Sequence, residues 1–238
     1  LGFRNTFRED TLLHLPMENS TQPEDISPNQ VNVQIPDGDA DSISSTEGIF
    51  STDAIKMDGD QSEGITVDGQ GLNVDSGSEF TLMAWVKPQS GAITPYTIYS
   101  KANNSHKNIE FKIQPEKRLE FSYGDTTVLS NSSTGNLRFN EWQHVAVTYD
   151  NSSVENELAF YVNGEQRDVK SRGLQQLSTG QENIQDAALI GQRAGGGRLN
   201  PFKGSMDEVH LINEELSAKD ISRISSKKGR FELESQLE

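Results

Sequence analysis

Apolar residues alternate with polar or small ones over short runs along most of this chain, the period of strands that press one face against a core. Val145, Val147 and Tyr149 make one such run, and Leu158, Phe160 and Val162 make the next. Between them Asp150–Asn156 is a polar connector of turn formers. After them comes Asn163-Gly164, a pair suited to a type I′ turn because both central positions there need φ > 0. The pattern predicts two adjacent strands and a third that folds straight back after Gly164.

Upstream, Thr11–Asn19 reads as an opening strand with Leu13, Leu15 and Met17 on one face, and Pro16 places it at an edge or near a strand end. Ser20–Gly48 is long and polar, holds Pro23, Pro28 and Pro36, and offers only a short alternation at Val31, Val33 and Ile35. Such a segment inside a compact domain is usually functional or partly disordered. Ala54–Val67 reads as a hairpin turning at Asp58–Glu63. Phe80–Val86, Thr97–Ser100, Ile109–Ile113 and Leu119–Tyr123 follow as the strands of a meander.

Downstream, Arg172–Asp186 reads as a polar loop and Ala187–Gln192 as a strand. Gln192–Pro201 is a glycine-rich loop, and Phe202–Ile212 is the last strand. One helix is predicted, beginning at Ser217. Ser217 can cap the amide three residues on while Asp220 reaches back, and Leu216 with Ile221 completes a hydrophobic staple. About a dozen short strands and one short helix make a two-layer sandwich the natural architecture.

A chain of 238 residues suits one all-β domain. We divide it into an extension at 1–10, a domain at 11–226 and a tail at 227–238. A hydrophobic share of 32% is low, but a sandwich tolerates it because each strand buries one face. The net charge of -15 repels a phosphate backbone and argues against nucleic acid as a partner. No apolar run approaches the ~18 residues of a membrane span. With no cysteine there are no disulfides, which disfavours a secreted animal module and fits an exported bacterial protein. Starting at Leu1, the chain reads as a fragment of something larger.

Trp142-x-His144-Val145-Ala146-Val147-Thr148-Tyr149-Asp150, followed by Leu158-x-Phe160-Tyr161-Val162-Asn163-Gly164, resembles the central motif of laminin-G-like and pentraxin-like domains. Phe80–Pro88, Leu189-Ile190-Gly191 and Gly204–Val209 fit the same family in order, so the resemblance spans roughly Leu12 to Ile224. It implies a concanavalin A-like jelly-roll sandwich of two antiparallel sheets with one short C-terminal helix. In similar jelly rolls a structural calcium ion joins the first strand, the loop after it and the last strand. The matching positions here are Glu18, Asp25 and Asp207, with Asn29 as a weaker addition. Pro23 and Pro28 stand in a loop that often carries Gly in relatives, which puts the position of Asp25 in doubt.

Asp37-Gly38-Asp39-Ala40-Asp41-Ser42 starts like an EF-type loop, but Ser42 replaces the required Gly and Gly48 the required Glu. Asp37 and Asp39 therefore remain only as second-tier cation ligands outside an EF motif. No strand carries the carboxylate pair of a sandwich-fold glycanase, and Glu110 and Glu120 are expected singly on a solvated face. Gln143-His144-Val145 resembles the Gln-x-His of alginate lyases without that family's partner motifs, so His144 is expected to be a packed structural histidine.

Directional donors suited to sugars collect in two loops, at Lys101, Asn103 and His106 and at Arg193, Arg198 and Asn200. The bland reading of the second loop, that Gly195–Gly197 is a hairpin tip, stays open. Taken with the resemblance, the expectation is a non-catalytic lectin-type adhesion module of an exported, surface or pilus-associated bacterial protein. It would bind glycans or glycoproteins on another cell surface. A protein-binding or structural sandwich is the main alternative, and a polysaccharide hydrolase or lyase the lesser one.

Overall fold

The computed structural model describes residues 10–36, 42–50, 52–60, 64–69, 71–74, 78–103, 107–124, 126–131, 137–150, 157–171, 186–194 and 199–226. Its strands are β1 (Thr11–Leu15), β2 (Val33–Gln34), β3 (Ile43–Glu47), β4 (Asp53–Asp58), β5 (Ile65–Val67), β6 (Phe80–Pro88), β7 (Tyr96–Ala102) and β8 (Lys107–Ile113). Then come β9 (Leu119–Tyr123), β10 (Thr126–Leu129), β11 (Gln143–Asp150), β12 (Glu157–Val162), β13 (Glu165–Ser171), β14 (Ala188–Ile190), β15 (Lys203–Ile212) and the helix α1 (Ala218–Ile224).

Two antiparallel sheets result. The larger runs β13-β12-β11-β6-β15-β4-β3, with β1 also on β15; the smaller runs β10-β9-β8-β7-β14-β5-β2. β15 keeps β6 along one side, while its other side is shared. β4 occupies Lys203–Met206, and β1 takes over at Val209–Ile212. Between these two neighbours β15 carries a bulge, where the register against β6 shifts between Asp207 and His210. One extra residue in a bulge bends a strand and re-aims its side chains.

The core fills the space between the sheets, as the period-two pattern requires. Leu82, Val86, Val145, Val147, Phe160 and Leu211 from the larger sheet pack with Tyr99, Phe111, Phe121 and Ile190 from the smaller. Phe80 bridges the layers, its ring 5.3 Å from Phe121 and 5.6 Å from Tyr149. A second cluster lies on the outer face of the larger sheet. There Met83, Ala146, Tyr161 and Ile212 take Leu216 and Ile221 from the α1 region.

Asn163 and Gly164 have φ of 52° and 77°, the positive pair that the turn demands. Gly164 is needed twice over, because a Cβ there would sit 2.1 Å from Ser225 Oγ and 2.7 Å from Ser222 Cα. Ser217 Oγ accepts the Asp220 amide at 3.2 Å, the expected cap. Ser217→Ala should lower stability by about 1 kcal/mol. The loss should appear as a small drop in melting temperature with the far-ultraviolet dichroism unchanged.

Three expectations differ from the structure. Ala54–Val67 is not a hairpin: β4 belongs to the larger sheet and β5 to the smaller, and alternation alone cannot say which sheet a strand joins. The polar stretch 20–48 hides β3, whose residues are mostly exposed because it is an edge strand paired with β4 alone. β10 was likewise missing from the sequence pattern, being half-exposed along its length. The proposed tail at 227–238 and residues 1–9 of the extension lie outside the described residues. No helix among the described residues is long and apolar enough to cross a membrane.

Candidate functional site

The opening and closing strands pair, with Leu13 opposite Leu211, His14 opposite His210 and Leu15 opposite Val209. The expected cation ligands nevertheless do not converge there. Asp25 is buried, and its Oδ1 accepts the amides of His14 and Ser27, each at 2.9 Å. Its Oδ2 accepts the Val31 amide at 2.9 Å and the Ser27 hydroxyl at 2.7 Å. A carboxylate that accepts four protein hydrogen bonds has its lone pairs spent.

Asp207 is buried on β15 and accepts the Ile49 amide at 3.0 Å, which ties the β3–β4 turn to the bulge. Gly48 permits this contact, since a Cβ there would lie 2.6 Å from Asp207 Oδ2. Glu18 is exposed beyond the end of β1, and Asn29 Nδ2 donates to the Leu12 carbonyl at 2.9 Å. Asp37 and Asp39 lie outside the described residues.

The ligand-type side chains that do converge among the described residues are His14, Glu208 and His210, whose ligand atoms lie within 4.8 Å of one another. His14 Nε2 is 2.8 Å from Glu208 Oε2, and His210 Nε2 is 3.8 Å from the same oxygen. Sequence reading passed over this group. The signal was present in one histidine on each of the first and last strands of the sequence pattern. Burial first, and then the neighbouring His14, holds the His210 imidazole well below its ordinary pKa. His144 is buried as expected, its ring edge-on to Trp85 at 5.5 Å, and burial lowers its pKa to about 3.

The outer face of the smaller sheet departs furthest from expectation. Glu110 is fully buried, not solvated. Its Oε2 lies 2.6 Å from Lys112 Nζ, and its Oε1 accepts from Ser100 Oγ at 3.1 Å and from Arg193 Nε at 3.2 Å. Lys112 also reaches Glu120 Oε1 at 3.2 Å, and the Gln114 amide donates to the other Glu120 oxygen. The cover is the segment after β14: the Ala194 amide donates to Ser100 Oγ at 3.0 Å, which draws that segment across the sheet. Burial acts to raise the pKa of Glu110, but Lys112, Lys107 and Arg193 outweigh it and the net shift is downward.

The expected sugar donors scatter. Lys101 is not a rim residue: it is fully buried, and its Nζ donates to the carbonyls of Gly69 and Asp186 at 2.8 and 2.9 Å. Burial lowers its pKa to about 8 against the opposing pull of Asp186 and Asp68. Asn103 is half-buried just past β7. Arg193 keeps 31% of its side chain exposed, and its amide donates to the Leu199 carbonyl at 3.1 Å, closing the base of the glycine-rich loop. Asn200 follows with φ of 56°, and its carbonyl accepts the Thr97 amide at 3.1 Å. Arg193 and Asn200 thus flank one loop, while His106 and Arg198 lie outside the described residues.

A family model described as the concanavalin A-like lectin/glucanases superfamily (Laminin_G_3) matches residues 58–222. The chain belongs to this superfamily. Its two antiparallel sheets and the short C-terminal helix among the described residues are a concanavalin A-like jelly roll. Among solved structures, this lectin/glucanase-type domain resembles the binding domain of Paraclostridial Mosquitocidal Protein 1, with a TM-score of 0.67 and 15% identity over 91% of this chain and 52% of that one. It also resembles the receptor binding domain of botulinum neurotoxin type G, with a TM-score of 0.63 and 14% identity over 91% of this chain and 51% of that one. The chain therefore spans about half the length of these two binding domains. Domain 4 of AbnA, an extracellular arabinanase of Geobacillus stearothermophilus solved with arabinotriose, matches with a TM-score of 0.65 and 16% identity over 91% of this chain and 98% of that one. A search of curated proteins returns no significant match.

Proposed function

We propose that this domain is a non-catalytic glycan-binding module of an exported surface protein, recognising glycans or glycoproteins on another cell. The observation that carries the reading is the end-to-end likeness to the AbnA domain, which was solved with an arabino-oligosaccharide and is covered over 98% of its length. The chain's own contribution is the loop flanked by Arg193 and Asn200. With Arg193 Nε committed to Glu110 and the side chain one-third exposed, its terminal amino groups are the donors that it can offer. Planar donors of this kind recognise hydroxyl pairs with direction.

The buried charge array does not supply the acid of a hydrolase. A glycosidase acid needs a carboxyl whose pKa is raised, whereas Glu110 is held low. A specific observation keeps protein binding as the second reading: Ile93 is 92% exposed and Leu199 41%, both on loops.

The test is a glycan array run with and without calcium, which also reads the calcium dependence expected from the resemblance, followed by calorimetry on the best hit. Asn200→Gly should keep the positive φ and the melting temperature while weakening glycan binding about tenfold, since it removes an amide without straining the turn. An array with no hits, or glycan affinity unmoved by this variant and by Arg193→Lys, would discard the reading in favour of a protein partner.

A further inference from the structure

His14 on β1 and His210 on β15 face each other in register, and their rings stack with centroids 3.9 Å apart and planes inclined by 27°. Glu208 brings its carboxylate to the same place. The distances from its Oε2 to the two Nε2 atoms are 2.8 and 3.8 Å. Tetrahedral zinc with bonds of about 2.0–2.1 Å sets its ligand atoms about 3.3–3.4 Å apart. The two observed separations straddle that value.

The supporting contacts also fit. His210 Nδ1 lies 3.0 Å from the Glu208 carbonyl oxygen, which can only accept, so Nδ1 carries a proton and the neutral ring presents its Nε2 lone pair. A carbonyl partner of this kind fixes tautomer and ring orientation in metal-binding histidines. Glu208 sits in the bulge with φ of 50°, unusual for a residue with a long side chain. The bulge occurs where the neighbour of β15 changes from β4 to β1, and it puts the carboxylate beside both imidazoles.

We propose that His14, Glu208 and His210 form a binding site for a divalent transition-metal ion, zinc by preference, at the seam between the opening and closing strands. Two imidazoles and one carboxylate suit a borderline ion that leaves a position open to water or another ligand. Calcium, which needs six to eight oxygens, is a poor match for this set. The site opens toward solvent at His14, 24% exposed, while Glu208 and His210 are more deeply covered. An ion held there clips β1 to β15, and the proposal is independent of what the Arg193–Asn200 loop binds.

The experiment titrates the chelator-treated chain with zinc chloride by calorimetry and with cobalt chloride by visible absorption, alongside thermal melts in zinc, calcium and chelator. The expected result is one zinc per chain with a Kd of micromolar order or tighter, and cobalt bands of low-coordinate, nitrogen-containing ligation. Zinc at about 100 times Kd should raise the folded-to-unfolded ratio about a hundredfold, about 2.7 kcal/mol. His14→Ala and Glu208→Gln should remove the binding, and Glu18→Gln should leave it intact. His14 is the most exposed of the three, so His14→Ala decides the matter if the bulge variant fails to fold, provided that it melts in chelator as the parent does. Zinc binding weaker than millimolar, or binding that His14→Ala leaves unchanged, overturns the proposal.

Discussion

Glu110→Ala is expected to destabilise the domain by about 3–5 kcal/mol, the cost of breaking a buried ion pair from one side. The substitution leaves Lys112, itself buried, with Glu120 as its remaining carboxylate, and takes from Ser100 and Arg193 the acceptor that they share. Arg193 anchors the base of the glycine-rich loop, so the loss should extend to that loop. Removing the lysine too should restore part of the stability. In a double-mutant cycle, Lys112→Met should cost less in the Glu110→Ala background than in the parent, with a coupling of about 1–3 kcal/mol. Urea midpoints of the four proteins measure this.

The same carboxylate makes stability depend on pH. The folded-state pKa of Glu110 is depressed below the ordinary value of 4.5. Its contribution is therefore fully present above about pH 5 and drains away as pH falls through 4.5 toward the folded pKa. Melting temperatures of the parent should fall more steeply between pH 5 and pH 3 than those of Glu110→Gln. Parallel curves would mean that the carboxylate is not held by its cations in solution.

The sandwich was legible in the sequence because burial on one face leaves a period that needs no partner to be seen. Val145 and Val147, Leu158 and Phe160, and the Asn163-Gly164 turn each announce themselves locally. Ile43 and Thr126 do not, because edge strands are half solvated and keep polar residues on both faces. The charge array escaped notice for a different reason. Glu110 and Lys112 in one strand look like an ordinary wet face, and only the cross-strand partner Glu120 and the covering Arg193–Ala194 segment, more than eighty residues away, make that face dry.

The residues expected to seat a cation, Glu18, Asp25 and Asp207, are not among the ligand-type side chains that converge among the described residues. The terminal strands do lie side by side, but the amides of His14, Ser27 and Val31 reach Asp25 first. The ligands that meet instead are imidazoles, which a search for calcium-type oxygens passes over.

Asp25→Ala should therefore be as damaging as loss of a core side chain, by about 3–5 kcal/mol, since each buried donor left without its acceptor costs about 1–3 kcal/mol. The loop from Asp25 to Val31 closes on β1 through this side chain, through two contacts to the Leu12 carbonyl, from Ser27 Oγ at 3.3 Å and Asn29 Nδ2 at 2.9 Å, and through the Ile26 amide, which donates to the His14 carbonyl at 3.0 Å. Without the carboxylate those three bonds must hold the loop. Asp25→Asn is the sharper variant. It keeps the size and one carbonyl oxygen, but turns an amide group toward donors, so at least two of the four hydrogen bonds cannot be remade. The loss should be the same in calcium and in chelator, because the carboxylate serves the chain's own amides. Hydrogen exchange should show the amides of His14, Ser27 and Val31 losing protection together while those of β6 and β11 keep theirs. A calcium-dependent loss would return Asp25 to the role of a metal ligand. Loss confined to chelator-free buffer would do so most directly, since backbone amides do not respond to chelation.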